Sequence, residues 1–75
     1  MVLGARANKR ILVHTTPKAG SQTIEGVLVR KRPEFILELA DLITGRDEKG
    51  KEEKVQLEGR VHLLREQIAF WQVLR

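Results

Sequence analysis

In residues 55–63, apolar or small residues (Val55, Leu57, Gly59, Val61, Leu63) alternate with polar ones (Gln56, Glu58, Arg60, His62). A two-residue period puts successive side chains on opposite faces of a half-buried β-strand. A polar step follows, Arg65-Glu66-Gln67. Then comes Ile68-Ala69-Phe70-Trp71-Gln72-Val73-Leu74, rich in β-branched and aromatic residues. The pattern predicts strand, tight turn and strand at the end of a small barrel.

The same logic runs backwards along the chain. Residues 10–16 hold Ile11, Leu12 and Val13 and stop at Pro17, which cannot continue a central ladder. Residues 17–22 have loop composition. Residues 23–30 form the second predicted strand, with Ile24, Val27, Leu28 and Val29 as apolar members. Gly26 interrupts it and marks a bulge or sharp bend. Lys31-Arg32-Pro33-Glu34 is a turn, and 35–43 is the third strand. Residues 44–54 carry four basic and four acidic residues and no apolar one, so they predict an exposed charged loop. The expectation is all-β: five strands in one domain over 10–75, preceded by a basic arm at 1–9.

Two segments also fit helices. Positions 35, 36, 39, 40 and 43 share a helical face behind Pro33. Leu57, Val61, Leu64, Ile68 and Trp71 recur at spacings of three and four. Strand is favoured for both. In the later segment Gly59 costs a helix about 1 kcal/mol, and Val55, Val61, Ile68 and Val73 suit a pleated surface. Glu58-Gly59 could instead be a hairpin turn.

Length makes this core small. A 75-residue chain is one domain and buries only about 60% of its unfolded surface. Phe35, Phe70 and Trp71 are the only aromatics, and there is no cysteine to staple or ligate. Association with other subunits would compensate. The net charge is +4, unevenly placed: residues 1–32 hold seven Lys/Arg against one acid, Glu25. That basic half suits phosphate or an acidic protein surface, through Arg6, Lys9, Arg10, Arg30, Lys31 and Arg32. No apolar run approaches the roughly 20 residues that span a bilayer, and no signal-type apolar core follows the basic start. A soluble, non-secreted chain without a membrane partner is expected.

Candidate chemistry is sparse. His14 and His62 lack a second ligand at metal spacing. Asp47-Glu48 and Glu52-Glu53 are interspersed with lysines rather than arranged as an oxygen cage. Gly45 and Gly50 have no strand–loop–helix context for phosphate. No nucleophile–base–orienter set exists. The expectation is no enzyme and no cofactor. Protein contact is the better use of the apolar surplus. Phe70 and Trp71 are adjacent, so a strand points one inward and the other outward. Leu63-Leu64 and Phe35-Ile36 pose the same question. The expected interface residues are Trp71, Phe70, Leu64 and Ile36, since aromatics concentrate in interface cores.

Ile24-Glu25-Gly26-Val27-Leu28 and the strand–turn–strand of 61–73 resemble the Sm-like and SH3-like small β-barrels. In Sm proteins, an Asn/Asp pair before the third strand and an Arg-Gly after the fourth read RNA. Here those places hold Lys31-Arg32-Pro33-Glu34 and Leu64-Arg65-Glu66-Gln67. The resemblance therefore implies the barrel but not base-specific RNA binding. A basic nucleic-acid module making non-specific phosphate contacts is the alternative function. Val13-His14-Thr15, residues 24–29 and residues 65–74 are similar to stretches of small barrel proteins in the virion gene sets of actinobacterial tailed phages. That likeness implies a structural subunit of the head or head–tail neck. Its partners would be capsid, portal or neck subunits and copies of itself. It would be assembled in the bacterial cytoplasm and end in the virion.

Overall fold

Alternation in the first apolar segment buries Ile11, Val13 and Thr15 and leaves Arg10, Leu12 and His14 half-buried on the other face. The segment is strand β1 (Arg10–Thr15) of the computed structural model, which describes residues 9–74. The other strands are β2 (Thr23–Arg30), β3 (Phe35–Arg46), β4 (Glu52–Gln56), β5 (Val61–Leu63) and β6 (Ile68–Val73). Single 3₁₀ turns occupy Pro17–Ala19 and Arg65–Gln67. All pairings are antiparallel. The strands form one sheet in the order β4-β3-β2-β1-β6, with β5 paired to β3 off that path.

The sheet bends at Gly26. Glu25 pairs with Asp41 and Val27 with Glu38, so Gly26 alone faces both Leu39 and Ala40. This is a bulge, the bend that a strand glycine signals. Leu39 takes a left-handed φ of 51° and is 69% exposed, while Ala40 turns wholly into the core. The bend divides β3 between two partners. Phe35, Ile36 and Leu37 pair with β5, and Asp41 to Arg46 pair with β4. The core forms inside the bend, from Ile11, Val13, Ile24, Phe35, Leu37, Ala40 and Leu63, with Leu28, Leu42, Leu57, Val61 and Ile68 packed around it. Thr15 is buried but satisfied, its Oγ1 accepting the Gln22 N–H at 2.6 Å. The two 3₁₀ turns are tied by the Thr16 N–H, which donates to the Gln67 carbonyl at 2.9 Å.

The opposite face of the sheet is polar at its centre. Arg10 lies 2.7 Å from Glu25 and 3.5 Å from Asp41, and Lys54 reaches Glu25 at 3.3 Å. The Arg10 hydrogen bond, opposed by burial and aided by Lys54, holds the Glu25 carboxyl below its ordinary pKa. A depressed carboxylate pKa contributes stability that is complete above the unfolded value, near 4.3, and is lost as pH falls through the folded value. Glu25→Gln should therefore melt lower than the parent at pH 7, with the two curves converging in acid. Because Arg10 and Lys54 are each more than a third exposed, added salt should narrow the gap. A pH series of thermal melts checks this, and parallel curves across the whole range would contradict it.

The expected strands at 10–16, 23–30, 35–43 and 68–74 are all present, and neither helical alternative forms. Three boundaries differ. The predicted fourth strand is broken into β4 and β5, because Gly59 adopts φ 73° between them. The Glu58-Gly59 alternative puts a turn at the right place, but no hairpin forms, because β4 and β5 each pair with β3 and not with one another. The expected charged loop 44–54 is largely strand: β3 runs on to Arg46 and β4 begins at Glu52, leaving 47–51 as the turn. Backbone pairing needs no apolar side chain, and Asp47 closes the turn by accepting the Lys49 and Lys51 N–H groups at 2.9 Å each. Finally, the sheet is not closed into a barrel. Split from β4, the three-residue β5 pairs only with β3, and no ladder joins β6 to β4 or β5 among the described residues.

Candidate protein-interaction surface

Among the described residues β6 is an edge strand, and its inner face is left uncovered by them. Its register with β1 sets Val73 beside Ile11, Gln72 beside Leu12, Trp71 beside Val13 and Phe70 beside His14. Cross-strand partners share a face, so Trp71 and Val73 extend the row that holds Ile11 and Val13. Those two core residues are fully buried, yet Trp71 is 36% and Val73 46% exposed. The Leu74 N–H donates to the Arg10 carbonyl at 2.9 Å. In the alternating antiparallel ladder, Gln72 and Leu74 then point their backbone groups at β1, while those of Trp71 and Val73 point to the free edge. This edge offers unpaired N–H and C=O groups beside uncovered apolar side chains.

Cations and a second aromatic frame its near end. Trp71 meets the Phe35 ring edge-on, with centroids 5.5 Å apart and planes at 68°. The Lys31 ammonium stands 5.5 Å from the Trp71 ring centroid. An open cleft of about 330 Å³ runs along the edge, lined by Phe35, Arg65, Ile68, Ala69, Phe70 and Trp71. Neither Lys31 nor Arg65 has an ion-pair partner among the described residues. On the outer face Phe70 is 55% exposed and stacks on His14, with centroids 4.3 Å apart.

The expected interface residues are only partly brought together. Phe70 and Trp71 do lie on opposite faces, but the inward one is not swallowed by the core, because no strand among the described residues covers β6. Leu64 is exposed in the turn just before the cleft. Ile36 is 7% exposed. It sits on β3 between Arg30 and His62, so the fold itself covers it and it leaves the accessible set. The sequence reasoning missed Val73 and Arg65. Val73 lies two residues from Trp71 and so shares its face, a signal that was present. The position of Arg65 depends on the turn that folds it back beside Phe35.

The basic residues also separate. Arg10 is engaged by Glu25 and Asp41, which withdraws it from phosphate contact. Lys9 already belongs to the sheet, its carbonyl accepting the Leu28 N–H at 2.7 Å. Arg6 and the rest of the expected arm, residues 1–8, lie outside the described residues. Arg30, Lys31 and Arg32 are exposed around the β2–β3 turn. His62 is hydrogen-bonded through Nδ1 to Glu34, and His14 Nδ1 lies 3.3 Å from Thr23 Oγ1. No grouping of three or more His, Asp or Glu suited to a metal occurs among the described residues. Nor is any helix among them long and apolar enough to cross a membrane. Comparisons with family models, with curated proteins and with solved structures returned no match to this chain.

Proposed function

We propose that this protein is a non-enzymatic assembly subunit, acting by protein–protein contact through the β6 edge. We further propose that it serves in the head or head–tail neck of a tailed-phage virion. The observation that carries the contact reading is the pair Trp71 and Val73, left uncovered beside a strand edge that is unpaired among the described residues. A small chain that keeps such residues in water gains from a partner that removes them. The virion assignment rests on the likeness of 13–15, 24–29 and 65–74 to such subunits. We read the sheet as an opened relative of the Sm-like or SH3-like barrel. The bend at Gly26 and the single turn between its last two strands support that reading.

The test is whether the chain sediments with particles in a producing lysate. Val73→Arg should remove it from them without lowering its melting temperature. Trp71→Ala should do the same at a cost of about 2–4 kcal/mol in fold stability, through the lost burial of the ring and the lost Phe35 contact. A wild-type chain absent from particles would refute the virion assignment, and full incorporation of both variants would refute the β6 contact.

A basic nucleic-acid-binding module is the second reading. It is favoured by Lys31, which stands 5.5 Å from the Trp71 ring centroid, and by Arg65, which lines the same cleft. Neither is ion-paired among the described residues, an arrangement that suits a stacked base and its phosphate. Oligonucleotide binding that falls steeply with salt and disappears in Lys31→Glu would support it.

A further inference from the structure

We infer that the β6 edge accepts an extended segment of another protein as an added strand, one bearing two apolar residues at alternate positions followed by a carboxylate. This rests on the assembly reading above and names the partner's chemistry. Three observations converge on it. The backbone groups of Trp71 and Val73 face outward from the sheet with no ladder to join. A strand laid along them would satisfy those groups and extend the six residues of β6. The side chains of Trp71 and Val73 lie two apart on one face and are both uncovered. They call for two apolar neighbours, also two apart, on the arriving strand. At this end of the edge Arg65 lines the cleft and Lys31 stands 5.5 Å from the Trp71 ring centroid, neither with a carboxylate partner among the described residues. An acidic side chain two positions further along the arriving strand would meet them.

The same features argue against a second copy of this chain. Pairing β6 with another β6 would bring no carboxylate to Lys31 and Arg65, since Ile68–Val73 holds none. The other free edge, β4, reads Glu52-Glu53-Lys54-Val55-Gln56. It brings carboxylates but only one apolar residue, Val55, against two that need covering. An apolar-x-apolar-x-acidic segment fits both demands.

Trp71 is the only tryptophan, so its emission reports on this site directly. The probe is a synthetic peptide with a Val-Thr-Val-Thr-Glu core and no tryptophan, titrated into the full chain. Saturable binding with a blue shift of Trp71 emission is expected. Replacing the peptide's Glu by Lys should weaken binding about tenfold or more, and a proline at its central position should abolish it. The double variant Lys31→Glu/Arg65→Glu changes exposed residues only and should reverse the Glu-over-Lys preference. Equal affinity for the two peptides, or no reversal, overturns the inference. So does a blue shift that appears without peptide as the protein is concentrated, which identifies a second copy as the occupant. If Val73→Arg still leaves the particle while peptides show no charge preference, the assembly reading stands and only the partner's chemistry falls.

Discussion

Leu37→Ala should lower the melting temperature by at least about 10 °C, more than truncation of any exposed residue. Leu37 is one of three large side chains that are fully buried, with Ile11 and Val13. It lies opposite Leu28 on β2 and Val61 on β5, so it joins the main sheet to the short strand at its fold. Leu→Ala at a buried site costs about 2–5 kcal/mol, with the larger values where neighbours cannot collapse. Here they are held by backbone ladders on both sides, which points to the upper half. Stability at roughly 0.05–0.15 kcal/mol per residue is about 4–11 kcal/mol for a chain this long. Each kcal/mol moves the midpoint by roughly 4–8 °C in a domain of this size. The variant should therefore lose a large part of its margin. Leu37→Met keeps most of the volume and should cost under about 1.5 kcal/mol. Circular dichroism melts of the three proteins decide the matter. A fall of less than about 3 °C for Leu37→Ala would mean that the site is not the load centre described here.

How much of this was legible beforehand depends on the kind of signal. Short apolar, β-branched or aromatic runs bounded by Pro, Gly and polar turn residues identified β1, β2 and β6 nearly to the residue. Yet only β1 and the first half of β2 alternate between core and surface, and β6 buries little beyond Ile68. β3 was legible as a strand but not in its length. Its extension through Thr44, Gly45 and Arg46, and β4 from Glu52 to Lys54, hold no apolar side chain on either face. Hairpin pairing sets their conformation, and hydrophobic pattern says nothing about it. Gly26 announced the bend. Leu39 did not, since a bulky residue at φ 51° reads in sequence as an ordinary core position. That misleading leucine is also what made 35–43 look helical.

The interaction surface was legible in half. Adjacent aromatics on a strand must face opposite ways, and Phe70 and Trp71 do. Which face would be left uncovered depended on closure, and closure depended on Gly59. By breaking 55–63 into two strands, Gly59 left the inner side of β6 open and moved Trp71 from filler to exposed edge. Ile36 shows the converse. It sits on the face opposite Phe35, which looked outward, yet the bend of β3 folds Arg30 and His62 over it. Charge patterning was weakest of all. Arg10 counted as a free cation in sequence, but its carboxylate partners Glu25 and Asp41 lie 15 and 31 positions away and meet it only through sheet register.

Gly26→Val should be nearly as damaging as Leu37→Ala, for the opposite physical reason. A Cβ at position 26 would stand 3.1 Å from the Ala40 Cβ, 3.2 Å from the Ala40 Cα and 3.2 Å from the Glu38 carbonyl oxygen. Two of those atoms are backbone and the third is bonded directly to it, all in a paired strand, so they cannot swing aside. Ala40 is fully buried, and the bulge that sets it there is what turns β3 from β4 toward β5. Overpacking of this kind costs about 1–3 kcal/mol, and more where the backbone must shift. Gly26→Ala should fall at the lower end, and Gly26→Val at or above the upper end, with β5 the first element to lose order. The contact argument has a sharper consequence. Ala40→Gly removes the 3.1 Å clash but not the two 3.2 Å ones, so it should rescue Gly26→Ala in part and Gly26→Val hardly at all. In a double-mutant cycle, the Gly26→Ala/Ala40→Gly pair should show a favourable coupling of at least about 0.5 kcal/mol, as residues in direct contact do. Strict additivity would show that the bulge has slack and that the close approach of Ala40 is not what requires glycine at position 26.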